Sequence, residues 1–348
     1  MSNSNGILLR LIITFIVITG IFYVLEYFLP AGHGGALLFN MLFWIGIVEG
    51  SVAVVAVGEV TSGRWVKPYR KELLSVYPLI LLFVPLFIIF IPRLEHYPWT
   101  TQPGIWLNKD LFVARHIFQL IIVFFIARRF ARESMNEGPK RSFWGVVYLL
   151  AFVISMTGVA IDWLMSLEYP WFSTLFGALF FIEAFYCALA LAGMFTFFNR
   201  GKYLSDYSEN FDDARMDMAT LLFAFAIFWA SQFYTQYLVI WYGNIPEEVS
   251  LIYYRTIHSP MREFFYSVIA FNFVIPFITF TYRRMKANYM VFLIIAIVVW
   301  VGIAVERLVI IVPRLAINPF ILAVEFIVIG LLMIYVVRKR DSFLARSA

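Results

Sequence analysis

The stretch F-W-A-S-Q-F-Y-T-Q-Y-L-V-I-W-Y-G-N-I-P-E-E, Phe228 to Glu248, decides what kind of protein this is. It opens as apolar helix and carries Ser231, Gln232, Tyr234, Gln236 and Tyr237 into hydrocarbon, where hydrogen-bonding side chains need a reason to be present. It closes on two interfacial aromatics, Trp241 and Tyr242, and on a turn, Gly243-Asn244-Ile245-Pro246, followed by Glu247 and Glu248. A polar, aromatic helix end is thus set at one membrane face.

The rest of the chain agrees. Its residues are 62% hydrophobic, 19% aromatic and 14% charged, and a water-soluble domain of 348 residues has no means of hiding so much apolar surface. Cys187 is the single cysteine, which excludes an intrachain disulfide and a cysteine-ligated zinc or iron–sulfur site. The net charge of +5 comes from basic residues in short loops beside apolar runs, the pattern of bilayer orientation rather than of nucleic-acid binding. The first apolar run has no small-residue cleavage site and reads as a retained helix.

A span takes about 20 apolar residues, and ten runs qualify: roughly 8–29, 36–60, 73–92, 109–126, 143–163, 173–198, 216–241, 262–282, 289–313 and 319–337. The fold class is therefore an all-α integral membrane protein. The connection from Asn199 to Asp217 carries Asp206, Glu209, Asp212 and Asp213 and reads as an acidic surface loop.

Twenty lysines and arginines fall at one set of helix ends: Arg10; Arg64, Lys67, Arg70 and Lys71; Arg128, Arg129, Arg132, Lys140 and Arg141; Arg200, Lys202 and Arg215; Arg283, Arg284 and Lys286; Arg338, Lys339, Arg340 and Arg346. The opposite ends hold five, Arg93, Lys109, Arg255, Arg262 and Arg314. The positive-inside rule makes both termini cytoplasmic and turns Trp241 outward.

The helices contain a repeat. Gly158-Val-Ala-Ile-Asp162 in the fifth resembles Gly302-Ile-Ala-Val-Glu306 in the ninth; Glu49 in the second matches Glu183 in the sixth; Ala114-Arg115-His116 opens the fourth as Met261-Arg262-Glu263 opens the eighth. Helices 2–5 and 6–9 then form two parallel four-helix bundles flanked by helices 1 and 10. The boundaries are an N-terminal peripheral helix at 1–35, bundles at 36–172 and 173–315, and a C-terminal helix with cytoplasmic tail at 316–348.

Charged groups inside helices are the informative set, because each costs several kcal/mol at mid-bilayer unless paired or hydrated. Glu49 and Glu183 fall near mid-depth; Asp162, Glu306, Glu325, Arg115 and His116 fall in the outer half. With Gln232, Tyr234, Tyr237 and Asn272 holding water between them, these carboxylates make a proton path. The other reading is an ion pair, such as Arg115 or Arg307 with a neighbouring carboxylate, that locks helices together. Of the histidines His33, His96, His116 and His258, only His116 lies within a helix, so bis-histidine haem ligation is not expected.

Two motifs, I-D-W-L-M-S-L-E-Y-P-W-F-S-T-L-F-G (Ile161 to Gly177) and S-Q-F-Y-T-Q-Y-L-V-I-W-Y-G-N-I-P-E-E (Ser231 to Glu248), resemble those of the NrfD/PsrC-like membrane proteins, and within that family a membrane subunit of bacterial alternative complex III. The resemblance implies one of two homologous membrane subunits in a respiratory or photosynthetic quinol:cytochrome c (or other acceptor) oxidoreductase. It implies partners: the sister subunit, an iron–sulfur subunit, haem c subunits and small membrane subunits. Quinol, such as menaquinol, would bind the sister subunit, and no cofactor would bind this chain, whose share would be proton translocation and assembly. Asp162, Glu168, Gln232, Tyr234 and Tyr237 are the site residues its motifs supply. A quinol-oxidising subunit of the same family is the rival reading. A secondary transporter is the more distant one, since it would carry helices broken at mid-membrane in matched pairs, whereas Pro78, Pro85 and Pro276 are unmatched.

Overall fold

The computed structural model describes residues 2–29, 34–207 and 211–344. His33, Glu209 and Arg346 lie outside the described residues. Ten helices are long and apolar enough to cross a membrane: α1 Leu9–Phe28, α2 Gly35–Val60, α3 Arg70–His96, α4 Lys109–Met135, α5 Arg141–Glu168, α6 Phe176–Phe198, α7 Phe211–Gly243, α8 Met261–Thr281, α9 Tyr289–Ile311 and α10 Pro319–Arg338. The chain is a multi-pass, all-α membrane protein.

Where observed bounds differ from the apolar runs, a local cause is visible. α4 continues nine residues past the expected end at 126, through Arg128, Arg129, Arg132 and Glu133. Arginine, alanine and glutamate are good helix formers, and Arg129 pairs with Glu133 one turn on at 2.8 Å. The acidic connection before α7 is largely helical: Arg200–Asp206 forms a short helix, and Asp212 sits in the first turn of α7 bonded to Arg215 at 2.9 Å. The turn at Gly243 leads into a twelve-residue helix, Pro246–Ile257, which the pattern of apolar runs does not reveal. Asn244 there takes the left-handed conformation (φ 45°) that a helix stop favours, and Pro246 opens the new helix at a position where its missing N–H costs nothing.

The packing repeats as the sequence does. α2, α3, α4 and α5 form a ring of neighbours, and α6, α7, α8 and α9 form the same ring in the same order. The rings meet where α2 packs on α6, with α5 on α6 on one side and α9 on α2 on the other. α2 is buried over nearly its whole length. Small residues set this contact: a Cβ on Gly50 would run into the carbonyl of Ala184, whereas one on Gly46 would meet the Ala184 side chain at an ordinary 3.6 Å. The flanking helices are not distributed one to each bundle. α1 packs on α3 and α10, and α10 packs on α2, so both clothe the first bundle.

The two glycines of the sequence repeat also share a structural role. Gly158 faces the Gln119 amide of α4 and Gly302 faces the Asn272 amide of α8. In each bundle a missing side chain makes room for a polar group from the next helix.

Backbone irregularities fall beside these polar groups. α5 and α8 each contain a π turn, Ala160–Leu164 and Ala270–Val274, around Asp162 and Asn272. Pro276 cannot donate to the Asn272 carbonyl four residues before it, and the Tyr186 hydroxyl of α6 donates to that carbonyl instead at 3.1 Å. In α3, prolines 78 and 92 open two 3-10 stretches, Tyr77–Leu82 and Ile91–His96. The broken helices α3 and α8 are not counterparts in the repeat.

At the arginine-rich end, Glu59 accepts from Ser134 at 2.8 Å and Arg70 at 3.3 Å and lies 3.4 Å from Arg141. Glu72 lies 3.2 Å from Lys202 and 3.3 Å from Arg340, tying the α10 tail to α3 and to the α6–α7 connection. Burial, with Glu72 adding to it, pushes the Tyr203 hydroxyl there above the usual tyrosine range.

Candidate functional site

In the first bundle Glu49 is buried among α2, α5 and α4. Ser155 donates to its Oε1 at 3.1 Å, and Gln119 donates to the Ser155 hydroxyl at 3.1 Å and to its carbonyl at 3.0 Å. The Tyr148 hydroxyl donates to the Glu49 carbonyl at 2.8 Å. Glu49 Oε2 is buried and accepts no hydrogen bond from the described residues. A turn above Gln119, Asp162 gathers a charged cluster: Arg115 donates at 2.9 Å, His116 Nε2 lies at 2.8 Å, and the Trp106 indole donates at 3.0 Å. The Trp106 ring lies over the Arg115 guanidinium, 4.1 Å from centroid to carbon, and covers the cluster from outside. Phe87, Phe112 and Trp163 fill the space around His116, with Phe87 stacked on Trp163 at 5.0 Å.

In the second bundle Glu183 ion-pairs with Arg307 and accepts from the Trp229 indole at 3.2 Å. Asn272 donates to Glu306 at 3.3 Å, and Glu306 is the chain neighbour of the Arg307 that pairs with Glu183. The repeat pairs Asp162 with Glu306 and Trp163 with Arg307. The cation against the carboxylates therefore comes from α4 in one bundle and from α9 in the other.

Nearer the lysine-poor end, Glu168 holds both bundles and the Pro246–Ile257 helix together. Arg255 donates to one carboxylate oxygen at 2.5 Å and Arg314 to the other at 2.6 Å. Arg255 also caps the end of α9, donating to the Val309 carbonyl at 2.9 Å and the Ile310 carbonyl at 3.2 Å. Glu325 stands apart from these strings: it lies on α10 and accepts from Asn40 of α2 at 3.1 Å.

Not all expected residues converge. Glu49, Asp162, Arg115 and His116 share the first bundle; Glu183, Glu306 and Glu168 share the second or its rim; Glu325 belongs to neither. Of the four residues expected to hold water between the carboxylates, Asn272 bonds Glu306 directly and the three on α7 are placed otherwise. Tyr234 is 61% exposed on the outer side of α7, Gln232 is half-buried, and Tyr237 is 41% exposed. The inward stripe of α7 runs Trp229, Phe233, Gln236, Ile240, at spacings of four, three and four. The amide that reaches the interior is thus Gln236, bonded to Ser173 at 2.5 Å, with Tyr237 at the stripe's edge. Anchoring the helical phase on Trp229 would have found it. Ser155 and Gln119 were missed because neutral polar residues in apolar helices leave no charge signal, and Arg255 and Arg314 because they read as loop cations.

Two spaces adjoin Tyr237 of α7. A cavity of about 80 Å³ reaches from Glu306 to Glu168 and Arg255, with Gln236 and Tyr237 in its wall. A groove of about 710 Å³ opens between α7, α8 and the Pro246–Ile257 helix, lined by aromatics including Trp229, Tyr234, Trp241 and Tyr266. Among the described residues no three His, Cys, Asp or Glu side chains converge as a metal-ligand set.

No protein-family model matches the sequence, and no curated protein matches it.

Proposed function

We propose that this chain is a membrane subunit of a quinol:electron acceptor oxidoreductase in a bacterial inner membrane, with both termini cytoplasmic, of the NrfD-like kind its motifs resemble. In this reading partner subunits carry the haem c and iron–sulfur centres, the sister subunit takes the quinol, and this chain supplies a proton path and a scaffold. The observation that carries the reading is the placement of Glu49 and Glu183. They are matched in the repeat, lie on parallel helices beside the closest α2–α6 crossing, and are buried with hydrogen-bonded polar partners in their own bundles. Two such costly groups at one depth favour proton handling over packing.

Glu49 makes the cleaner test because no ion pair holds it among the described residues. Glu49→Gln in the assembled complex, reconstituted in sealed vesicles, should lower the protons moved per electron, because an amide keeps the Ser155 contact but carries no exchangeable charge. An unchanged ratio in assembled Glu49→Gln and Glu183→Gln complexes would leave a scaffold role. The rival quinol-binding reading has one observation in its favour, the aromatic groove beside α7 and α8. A quinone located there in the isolated complex would move the assignment to it.

A further inference from the structure

The repeat leaves the two sides of the α2–α6 crossing unequal. On the α9–α2 side, α10 of this chain lies across the junction. Its Phe326 ring sits 5.3 Å from that of Phe43 and 4.9 Å from that of Trp44, and these two α2 rings meet Trp300 of α9 at 5.7 and 5.8 Å. A Cβ on Gly330 of α10 would press on the Trp44 ring at 3.3 Å, and the helix also packs on the Arg70–Ser75 start of α3. The equivalent junction on the other side, among α5, α6 and α7, holds an apolar cleft of about 240 Å³. Leu149 and Phe152 of α5, Phe181 and Phe185 of α6, and Leu221 and Phe225 of α7 form its walls, with Phe185 and Phe225 stacked at 4.7 Å. In the register that matches Glu49 with Glu183, Phe181, Ile182 and Phe185 stand opposite Ile47, Val48 and Ser51 of α2. The α2 trio is fully buried, whereas Phe181 is half-buried. Accordingly 94% of α2's most apolar stretch is buried within the chain, against 78% of α6's. At the rim of the cleft Val153 and Phe228 are 37% and 45% exposed.

We infer that this cleft seats one transmembrane helix of a partner subunit, lying where α10 lies on the opposite side and running, like α10, from the lysine-poor to the arginine-rich face. The inference rests on the reading that this chain works inside a complex. Parallel repeats are related by an axis along the membrane normal, and rotation about that axis leaves a helix's direction unchanged. α7 lines the cleft from Leu221 to Phe228, about 10 Å of helix rise or two turns of a partner. Helices in a bilayer associate through packing rather than through escape from water, so a recess at a helix junction is where a partner's bulky apolar side chain gains contacts, as Phe326 does against Trp44. Charge agrees at the inner end. Trp65 closes the cleft there, and the neighbouring Arg64 and Lys67 are exposed and make no ion pair among the described residues. A helix in this orientation brings its C-terminal carbonyls to those cations. A lipid chain would meet the same walls, but the matched junction of this fold takes a helix.

The test uses the complex purified from native membranes. Val153→Trp fills the cleft from its exposed rim, and Ile154→Trp, 69% exposed and outside the cleft, is the control one residue along α5. Val153→Trp should lower the recovery of one copurifying membrane subunit roughly tenfold, as overpacking at a contact does, while Ile154→Trp retains it. Independently, p-benzoylphenylalanine in place of Phe228, irradiated in native membranes, should join this chain to a transmembrane peptide of that same subunit, read by mass spectrometry. Should Val153→Trp fail to assemble at all, the crosslink decides alone. Adducts to phospholipid only, adducts to a subunit that Val153→Trp retains, or a full set of subunits with Val153→Trp overturns the helix and leaves the complex reading standing. If the wild-type chain purifies with no other membrane subunit, the complex reading falls and this inference with it.

Discussion

Replacing Gly50 by alanine tests the α2–α6 crossing on which the two-bundle arrangement depends. The added Cβ points at the backbone carbonyl of Ala184, which no rotamer change moves aside, so the two helices must separate along their closest contact. Overpacking of this kind costs about 1–3 kcal/mol, and the backbone obstacle puts Gly50→Ala in the upper part of that range. Helix propensity offsets up to about 1 kcal/mol, since alanine loses less freedom than glycine on folding. The net expectation is a loss of about 1–2 kcal/mol, or roughly 2–4 °C per kcal/mol if the thermal transition behaves as in a domain of 150–250 residues. Gly46→Ala supplies the opposite sign from one turn away: its Cβ would meet the Ala184 side chain at 3.6 Å, an ordinary contact, so only the propensity gain remains. Melting of the detergent-solubilised protein, followed by scattering or tryptophan emission, measures both. A Gly46→Ala loss equal to that of Gly50→Ala, or a neutral Gly50→Ala, would refute the crossing geometry.

Arg307→Met strands the Glu183 carboxylate and should cost about 3–5 kcal/mol, whereas Glu183→Leu/Arg307→Met together should recover most of it; a double variant no more stable than the single one by the same melting assay would count against the pair. Tyr186→Phe removes the donor to the Asn272 carbonyl that Pro276 leaves open and should cost about 1–3 kcal/mol, so wild-type melting would argue that another group serves that carbonyl. Orientation is checked by thiol labelling from outside: Ile245→Cys should react and Gly138→Cys should not, and the reverse pattern would invert the positive-inside assignment. Trp106→Ala uncovers the Asp162 cluster and should lower stability by about 1 kcal/mol, with no change in melting as the contrary result.

The ten spans were legible because a bilayer demands about 20 apolar residues and leaves little else to choose from. The repeat was legible through Gly158 and Gly302, and the structure gives its reason: each glycine makes room for an amide from the neighbouring helix. The Pro246–Ile257 helix was hidden because twelve residues cannot span, and its mixed composition resembles a loop. The charged pairs were legible in outline, since Arg115 and Arg307 stand out as cations in helices, but their partners depend on which faces meet. Tyr234 shows the limit best. It stands two residues from Gln236 in one motif, yet about 200° of helical turn sends one outward and the other to the interior.

The Glu168 contacts have a consequence for biogenesis. Arg255 lies 87 positions and Arg314 lies 146 positions from the carboxylate they share. Such long-range contacts form late, because loop closure must come first. Glu168 waits at the end of α5 while the whole second bundle is synthesised, and its two oxygens are both occupied only once α9 has crossed the membrane and turned at Arg314. That latch therefore closes only after every helix it fastens has been inserted.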